Sequence, residues 1–363
     1  MRSGFRKKWD TLDLKVEGMY RKYKKRKAVK LRRKRMNGGF NCDREYKEVV
    51  LPYWKKYGYK PAKYWYQVFS DREQKVDPRY IPDDLYYGEM LPYFSNSQFR
   101  RFGEDKCYHD VWFADIKRPQ TICKNIAGVY YDAEMNPITQ EKAVELVLAF
   151  PGECLIKPSI DSGEGRLIRF FTPETATKAS VTEAMNDMKA NFLFQASVKQ
   201  HPILAQMNPS SLNTIRVVSF FFEGEVHILS CNYRVGAPDS KVDNIGAGGF
   251  ACQVFEDGHL CYRAVNRKAQ WVEESNNGIK FADIVLPSFD RVLDTVRRKH
   301  RELAHFKLIG WDFSVDTEGD PVFIEYNVCP GTNQITCGPT FGDLTEKVLD
   351  EFFIKRTLRN AQN

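Results

Sequence analysis

The stretch from Lys307 to Val328, KLIGWDFSVDTEGDPVFIEYNV, constrains the fold more than any other part of the chain. Two strand-like runs flank a cluster of turn formers, so it reads as an antiparallel hairpin. With Glu318-Gly319 as a two-residue turn, Asp312 falls directly opposite Glu325. Asn327 lies two residues further along the same face. Like charges set opposite each other repel unless a cation lies between them. Carboxylate and amide oxygens suit Mg²⁺ beside substrate phosphates. The rival reading is a solvated outer face, and a longer loop over DTEGD would put the pairing out of step. Phe313, Val315, Phe323 and Ile324 make the neighbourhood apolar. Asp312, Glu325 and Asn327 are therefore the expected metal set.

Similar patterns occur upstream. Ile215–Phe222 and Val226–Tyr233 flank Glu223-Gly224, and Ala251–Phe255 and Leu260–Ala264 flank Asp257-Gly258. Glu153–Lys157, Arg166–Phe171 and Asn191–Ser197 read as strands, and Gln120–Asp132 is strand-like. Thr139 caps a helix carrying Ala143, Val144, Val147 and Leu148 on one side. Further helices are expected over about Glu174–Ala190, Ser288–Phe306 and 343–358. Residues 43–105 are aromatic-rich and interrupted by Pro52, Pro61, Pro78, Pro82 and Pro92, which predicts short helices packed as a cap. The fold class is mixed α/β (α+β) with antiparallel sheets.

Charge is unevenly spread. Residues 1–35 hold 16 Lys/Arg against Asp10, Asp13 and Glu17, a local +13 within a total of +8, leaving −5 for the body. Mutual repulsion predicts a partly helical surface arm rather than a packed element. A solubility tail and an anionic partner are the two readings of that arm. The acidic remainder disfavours nucleic acid, whose footprint should extend beyond one tail. No apolar run reaches membrane-spanning length, and the charged N-terminus lacks the apolar core of a secretory signal. Nine cysteines without a CxxC pair point to free thiols in a reducing cytoplasm, and the six histidines add no zinc cluster.

Three other segments carry candidate chemistry. Lys157 precedes a loop with Ser159, Ser162, Gly163 and Gly165, whose glycines would let backbone N–H groups converge on an anion. Arg216 interrupts an apolar run of Ile215, Val217, Val218 and Phe220, so it is exposed, paired or in a site. Arg234 opens the glycine-rich stretch NYRVGAPDSKVDNIGAGGF, which includes Lys241.

In order and spacing these segments resemble the ATP-grasp superfamily, and within it the sugar-transfer-associated branch and the related teichuronopeptide-synthesis group. The likeness runs from about Asp105 to Asn333 and implies an ATP-grasp fold whose antiparallel sheets clasp the nucleotide. Asp105-Lys106 resembles the family's DK pair, with Lys106 on ATP phosphate. Lys157 resembles the second nucleotide lysine, ahead of the loop over the phosphates. Gln195–His201 resembles the hinge that meets adenine and ribose, through Gln195, Lys199 and His201. Ala196 and Ser197 stand where family members often place a Glu. Asn213–Arg216 resembles the NTIR segment, whose Arg faces the transferring phosphate. Arg234, Asp243-Asn244 and Gly248-Gly249 resemble the segment closing the acceptor site.

The resemblance implies ATP and Mg²⁺ as cofactors, with Arg216, Lys157 and Arg234 as catalytic groups. It implies a carboxylate–amine ligase working through an acylphosphate on a small-molecule or saccharide carboxylate acceptor and an amine donor. A sugar kinase is the alternative in chemistry, and a non-catalytic scaffold the alternative in class. The free thiols and the uninterrupted charge of the N-terminus point to a cytoplasmic enzyme, and the charge split points to an arm docked on an anionic surface, the inner membrane face or an acidic glycan. Five units are expected: a basic arm (1–35), an aromatic cap (36–105), a small α/β lead-in (106–152), a lid (153–205) and a C-terminal catalytic unit (206–363).

Overall fold

The computed structural model describes residues 2–95, 99–160, 167–238, 240–241, 248–266 and 268–355, with backbone alone for 2–15, 101 and 102. Ser162, Gly163, Gly165, Asp243 and Asn244 lie outside the described residues.

Among the described residues, six strands form the first sheet. They are β1 (Thr121–Ile126), β2 (Val129–Asp132), β3 (Pro137–Ile138), β4 (Cys154–Pro158), β5 (Arg169–Phe171) and β6 (Phe192–Ala196), in the order β3-β2-β1-β6-β4-β5. The stretch 120–132 is a hairpin rather than one run. Ala127 and Gly128 both have positive φ and turn the chain between β1 and β2. An alanine in that conformation is uncommon, so the turn carries no strong sequence signal. β6 returns from a distance to pair with both β1 and β4. Residues 106–152 and 153–205 therefore share one sheet, and the expected boundary at 152 cuts through it. The reason is a pairing remote in sequence, which local patterns do not report.

Helices α2 (Gln140–Leu148) and α3 (Lys178–Met188) cover one face of this sheet. Their Val144, Val147, Val181 and Met185 pack on Ile156, Phe192 and Phe194. Thr139 caps α2 by accepting from the Lys142 N–H. α3 starts later than Thr172-Pro173 suggests. Thr177 and Ser180 form a reciprocal capping box there, while Thr172 and Thr175 close a turn of their own.

Among the described residues the second sheet has seven strands: β7 (Thr214–Phe222), β8 (Glu225–Val235), β9 (Phe250–Val254), β10 (Leu260–Asn266), β11 (Trp271–Val272), β12 (Leu308–Val315) and β13 (Pro321–Asn327). Their order is β11-β10-β9-β8-β7-β12-β13. Helix α4 (Phe289–His300) lays Val292, Leu293 and Val296 against Ile215, Val217 and Trp311. Each such side chain contributes roughly 1.5–3 kcal/mol on burial. Beyond it, Phe220, Phe222 and Leu308 join a separate core with cap residues Trp54, Tyr66 and Tyr86 and with Val348 and Phe352 near the C-terminus. The cap is thus bonded to the second sheet through one apolar core.

The basic arm departs most from expectation. It is one helix, α1 (Arg2–Arg35), and it lies against the cap. Val29 is buried, and Gly18 sits so close to Gly88 that a Cβ there would come 3.0 Å from the Gly88 carbonyl oxygen. Lys22 pairs with Glu89 at 2.7 Å, Arg26 with Asp84 at 2.6 Å, and Arg33 donates to Gln67 at 3.1 Å. Part of the counter-charge missing within the arm comes from Asp84 and Glu89 of the cap, which lowers the repulsion that argued against packing.

Candidate active site

The two sheets face each other across a cleft of about 530 Å³. Leu155, Lys157, Phe170 and Gln195 line it from the first sheet and its edge. Thr214, Arg234, Asp312, Ile324 and Glu325 line it from the second. The segment 197–201 joins them: the Ser197 N–H donates to the Glu153 carbonyl and the His201 N–H to the Val315 carbonyl.

The expected opposition of Asp312 and Glu325 is present, by a different route. The turn is the longer loop over Asp316–Asp320, closed by hydrogen bonds from Gly319 N–H to the Asp316 carbonyl and from Asp316 N–H to the Asp320 carbonyl. Near that turn Phe313 pairs with Phe323, one residue out of step. A β-bulge then restores the step, so that Asp312 pairs with Glu325 and Gly310 with Asn327. The bulge also lets consecutive residues Ile324 and Glu325 both line the cleft. Gly310 leaves room for Asn327, since a Cβ there would lie 3.2 Å from the Asn327 Oδ1.

One row runs straight across the second sheet: Asn232, Arg216, Asp312 and Glu325 pair in turn. Arg216 grips Asp312 with two donors, Nε to Oδ1 and Nη2 to Oδ2, the latter at 2.6 Å. Arg234 Nη1 stands 3.4 Å from both Asp312 oxygens. Lys106 Nζ lies 3.2 Å from Glu325 Oε2. Asp105 holds Lys106 in place by accepting from the Cys107 N–H, and the Lys106 N–H donates to the Ser159 carbonyl. Four cations thus surround two carboxylates, and the balance is positive within an acidic body. Burial alone would raise the Glu325 pKa, but Lys106, Lys157 and Arg216 outweigh it and hold the carboxyl well below its usual range.

Lys157 is the least compensated of the four. It is only 7% exposed, and among the described residues it makes no hydrogen bond or ion pair. Burial first, then Lys106, pushes its ammonium down to about 8 from its ordinary 10.5. Behind it lies His109, buried, with its Nε2 unpartnered and its ring stacked on Tyr326. Burial, then Lys106 and Lys157, holds that imidazole neutral.

The expected residues divide into groups. Lys106, Lys157, Gln195, Lys199, Arg234, Asp312 and Glu325 line the cleft. Arg216 reaches the site through Asp312, and Asn327 sits two pairs along the hairpin from Asp312 and Glu325. Ser159 and His201 do not line the cleft. Ser159 is fully buried with its backbone clasped by Lys106 and Asn191. His201 caps the short helix Pro202–Ala205, its Nδ1 accepting from the Ile203 N–H. Pro202 at the first helical position is the sequence signal for that capping role. Asn213 of the NTIR segment is likewise structural: it donates to the Leu204 and Asn208 carbonyls and is fully buried.

The apolar walls Leu155, Ile168 and Phe170 do not emerge from the sequence as site residues. Leu155 was within reach, since it shares a strand face with Lys157. Lys241 crosses from the second sheet's loop to pair with Glu153 at 3.0 Å and to lie 4.4 Å over the Phe170 ring.

Two antiparallel sheets closing on a lysine-rich cleft with an acidic pair on the far wall are the ATP-grasp fold. A family model for sugar-transfer-associated ATP-grasp proteins matches residues 122–348. The chain belongs to that family. No curated protein matches the sequence. Similar solved structures include D-alanyl-alanine synthetase A from Vibrio cholerae, at 13% identity over 70% of this chain and 65% of that one, with a TM-score of 0.42. Another is D-cycloserine synthetase DcsG, at 12% identity over 68% of this chain and 71% of that one, TM-score 0.43. A third is the ATP-grasp ligase PsnB complexed with minimal precursor, at 13% identity over 71% and 63%, TM-score 0.39. The chain spans less than two thirds of the length of the first and third.

Proposed function

We propose that this protein is a cytoplasmic, ATP- and Mg²⁺-dependent carboxylate–amine ligase that forms an amide on a sugar acid or amino acid during surface-polysaccharide synthesis. The observation that carries the reading is Lys157, a buried ammonium that among the described residues makes no hydrogen bond or ion pair, beside a pair of opposed carboxylates. A buried cation left in that state calls for an anionic ligand, and a nucleotide triphosphate supplies one.

In this reading Lys106 and Lys157 bind phosphate oxygens, and Gln195 and Lys199 meet the nucleoside end. Asp312, Glu325 and Asn327 would hold magnesium, which would supply Lewis-acid stabilisation of the phosphates. Each Asp312 oxygen accepts a close Arg216 donor and a looser Arg234 donor at 3.4 Å, and a bound metal would take the place of the Arg234 contact. Leu155, Ile168, Phe170 and Ile324 exclude water from the reacting groups. Arg216 and Arg234 fix Asp312 and offer positive charge where oxygen charge develops. The acceptor carboxylate oxygen attacks the γ-phosphorus, the β–γ bridging bond breaks, and ADP leaves. The amine nitrogen then attacks the acyl carbon, phosphate leaves, and the amine's surplus proton passes to solvent. The chain's own part is positioning and charge stabilisation, with no covalent protein intermediate.

The test is incubation with Mg-ATP and a panel of uronic acids and amino acids, reading ADP, phosphate and product mass together. Equal ADP and phosphate with an amide mass is the expected result. ADP with a phosphorylated sugar and no free phosphate would replace the ligase reading with a kinase.

A further inference from the structure

We propose that the outward face of α1 docks the protein on an anionic membrane surface. The helix uses its inner face against the cap, through Gly18, Lys22, Val29 and Arg33. At a helical 100° per residue, the exposed lysines and large apolar residues between 16 and 34 fall on one outward arc roughly 140° wide. That arc carries large apolar side chains open to solvent: Met19 at 63% exposure, Tyr20 at 59% and Tyr23 at 63%, with Val16 and Leu31 half exposed. Interleaved on the same arc are Lys24, Lys27, Lys30 and Lys34, all exposed. None of the four pairs with a carboxylate among the described residues.

The combination selects the partner. A solubility tail needs the lysines and gains nothing from five exposed apolar side chains. A nucleic-acid arm would use the charge, but the aliphatic groups would stay in water and the acidic body would oppose it. A lipid surface uses both: lysines meet anionic headgroups while tyrosine, methionine and leucine enter the interfacial layer. Among the described residues no helix is long and apolar enough to cross a membrane, so the contact is peripheral. The inner-face pairs with Glu89 and Asp84 fix α1 to the body, so docking the helix docks the protein.

The proposal stands apart from the ligase reading, and its assay needs no turnover. Full-length protein is sedimented with vesicles of phosphatidylcholine alone and of phosphatidylcholine with phosphatidylglycerol, at low and high salt. Two variants are run beside it: Lys24→Glu/Lys27→Glu/Lys30→Glu/Lys34→Glu, and Met19→Ser/Tyr20→Ser/Tyr23→Ser. Circular dichroism and the thermal shift with ATP report whether each variant folds as the parent does. The expected result is binding to the anionic vesicles alone, weakened by salt. The charge variant should lose at least about a hundredfold in partition, and the apolar variant several-fold. Parent protein that ignores anionic vesicles at low salt overturns the proposal. So does a folded charge variant that binds as the parent does. Binding to duplex DNA that outcompetes vesicles and survives the apolar substitutions would replace the membrane with a nucleic-acid partner.

Discussion

Replacing Lys157 with methionine should stabilise the free protein while weakening ATP, a combination that follows from its burial. In the unfolded chain this ammonium titrates near the ordinary 10.5, and burial in the folded protein lowers it to about 8. The folded state therefore binds fewer protons between those values, and stability rises with pH across that window. Below about 8 both states are charged, and the folded state carries the whole cost. The shift corresponds to roughly 3 kcal/mol at pH 7. Methionine keeps the unbranched stem and removes the charge, so the variant should gain roughly 1–3 kcal/mol in urea denaturation without ligand. Its loss on ATP should be about ten- to a hundredfold, the scale of one charge-assisted contact, while adenosine binding stays within about twofold. Titration calorimetry in two buffers of different ionisation enthalpy supplies an independent check. At pH 8 the free lysine is about half protonated, so phosphate binding should draw up roughly half a proton in the parent and none in Lys157→Met. A variant less stable than the parent, or an equal loss of ATP and adenosine, would refute the argument. So would ATP binding by the parent without proton uptake.

Three further outcomes follow from the same geometry. Asp312→Asn should cut Mg-dependent turnover at least about tenfold and also cost about 3 kcal/mol in urea denaturation, because Arg216 and Arg234 lose their buried carboxylate. Glu325→Gln should cut turnover similarly at a smaller stability cost, as that side chain is 31% exposed; normal turnover in both removes the metal site from this hairpin. His300 accepts at Nδ1 from the Ser219 hydroxyl and donates from Nε2 to the Phe306 carbonyl, and burial lowers its pKa from 6.5 to about 4. Stability should fall by roughly 3 kcal/mol as pH drops from 6.5 to 4, and His300→Gln should flatten that limb in pH-dependent denaturation; an unchanged slope would exclude His300 as its source. Burial raises the thiol pKa of Cys42 and Cys154 to about 11 and of Cys107 to about 12, so native protein should react slowly with a thiol reagent and denatured protein should release all nine cysteines.

Local rules made much of this molecule legible. Thr139 announces α2, Glu223-Gly224 announces the β7–β8 turn, and strand alternation places Asp312, Glu325 and Asn327 on one face. What stayed hidden depends on distant partners. The pairing of β6 with β1 merges two expected units into one sheet, and no residue of β1 signals it. The packing of α1 against the cap uses Asp84 and Glu89, which lie far along the chain from the arginine and lysine they hold. The hairpin of β12 and β13 shows how the two kinds of information interact. A two-residue turn predicts the right opposition of Asp312 and Glu325, yet the real turn is longer and would by itself slip the pair apart. The bulge at Ile324 restores the register. It also does what an uninterrupted strand forbids, since adjacent side chains on a flat strand point to opposite faces. With the bulge, an apolar wall residue and a carboxylate stand side by side in the cleft, where a water-excluding site needs both. The irregularity is therefore part of the site's construction, and it sits at the one place where a regular hairpin would have separated those two functions.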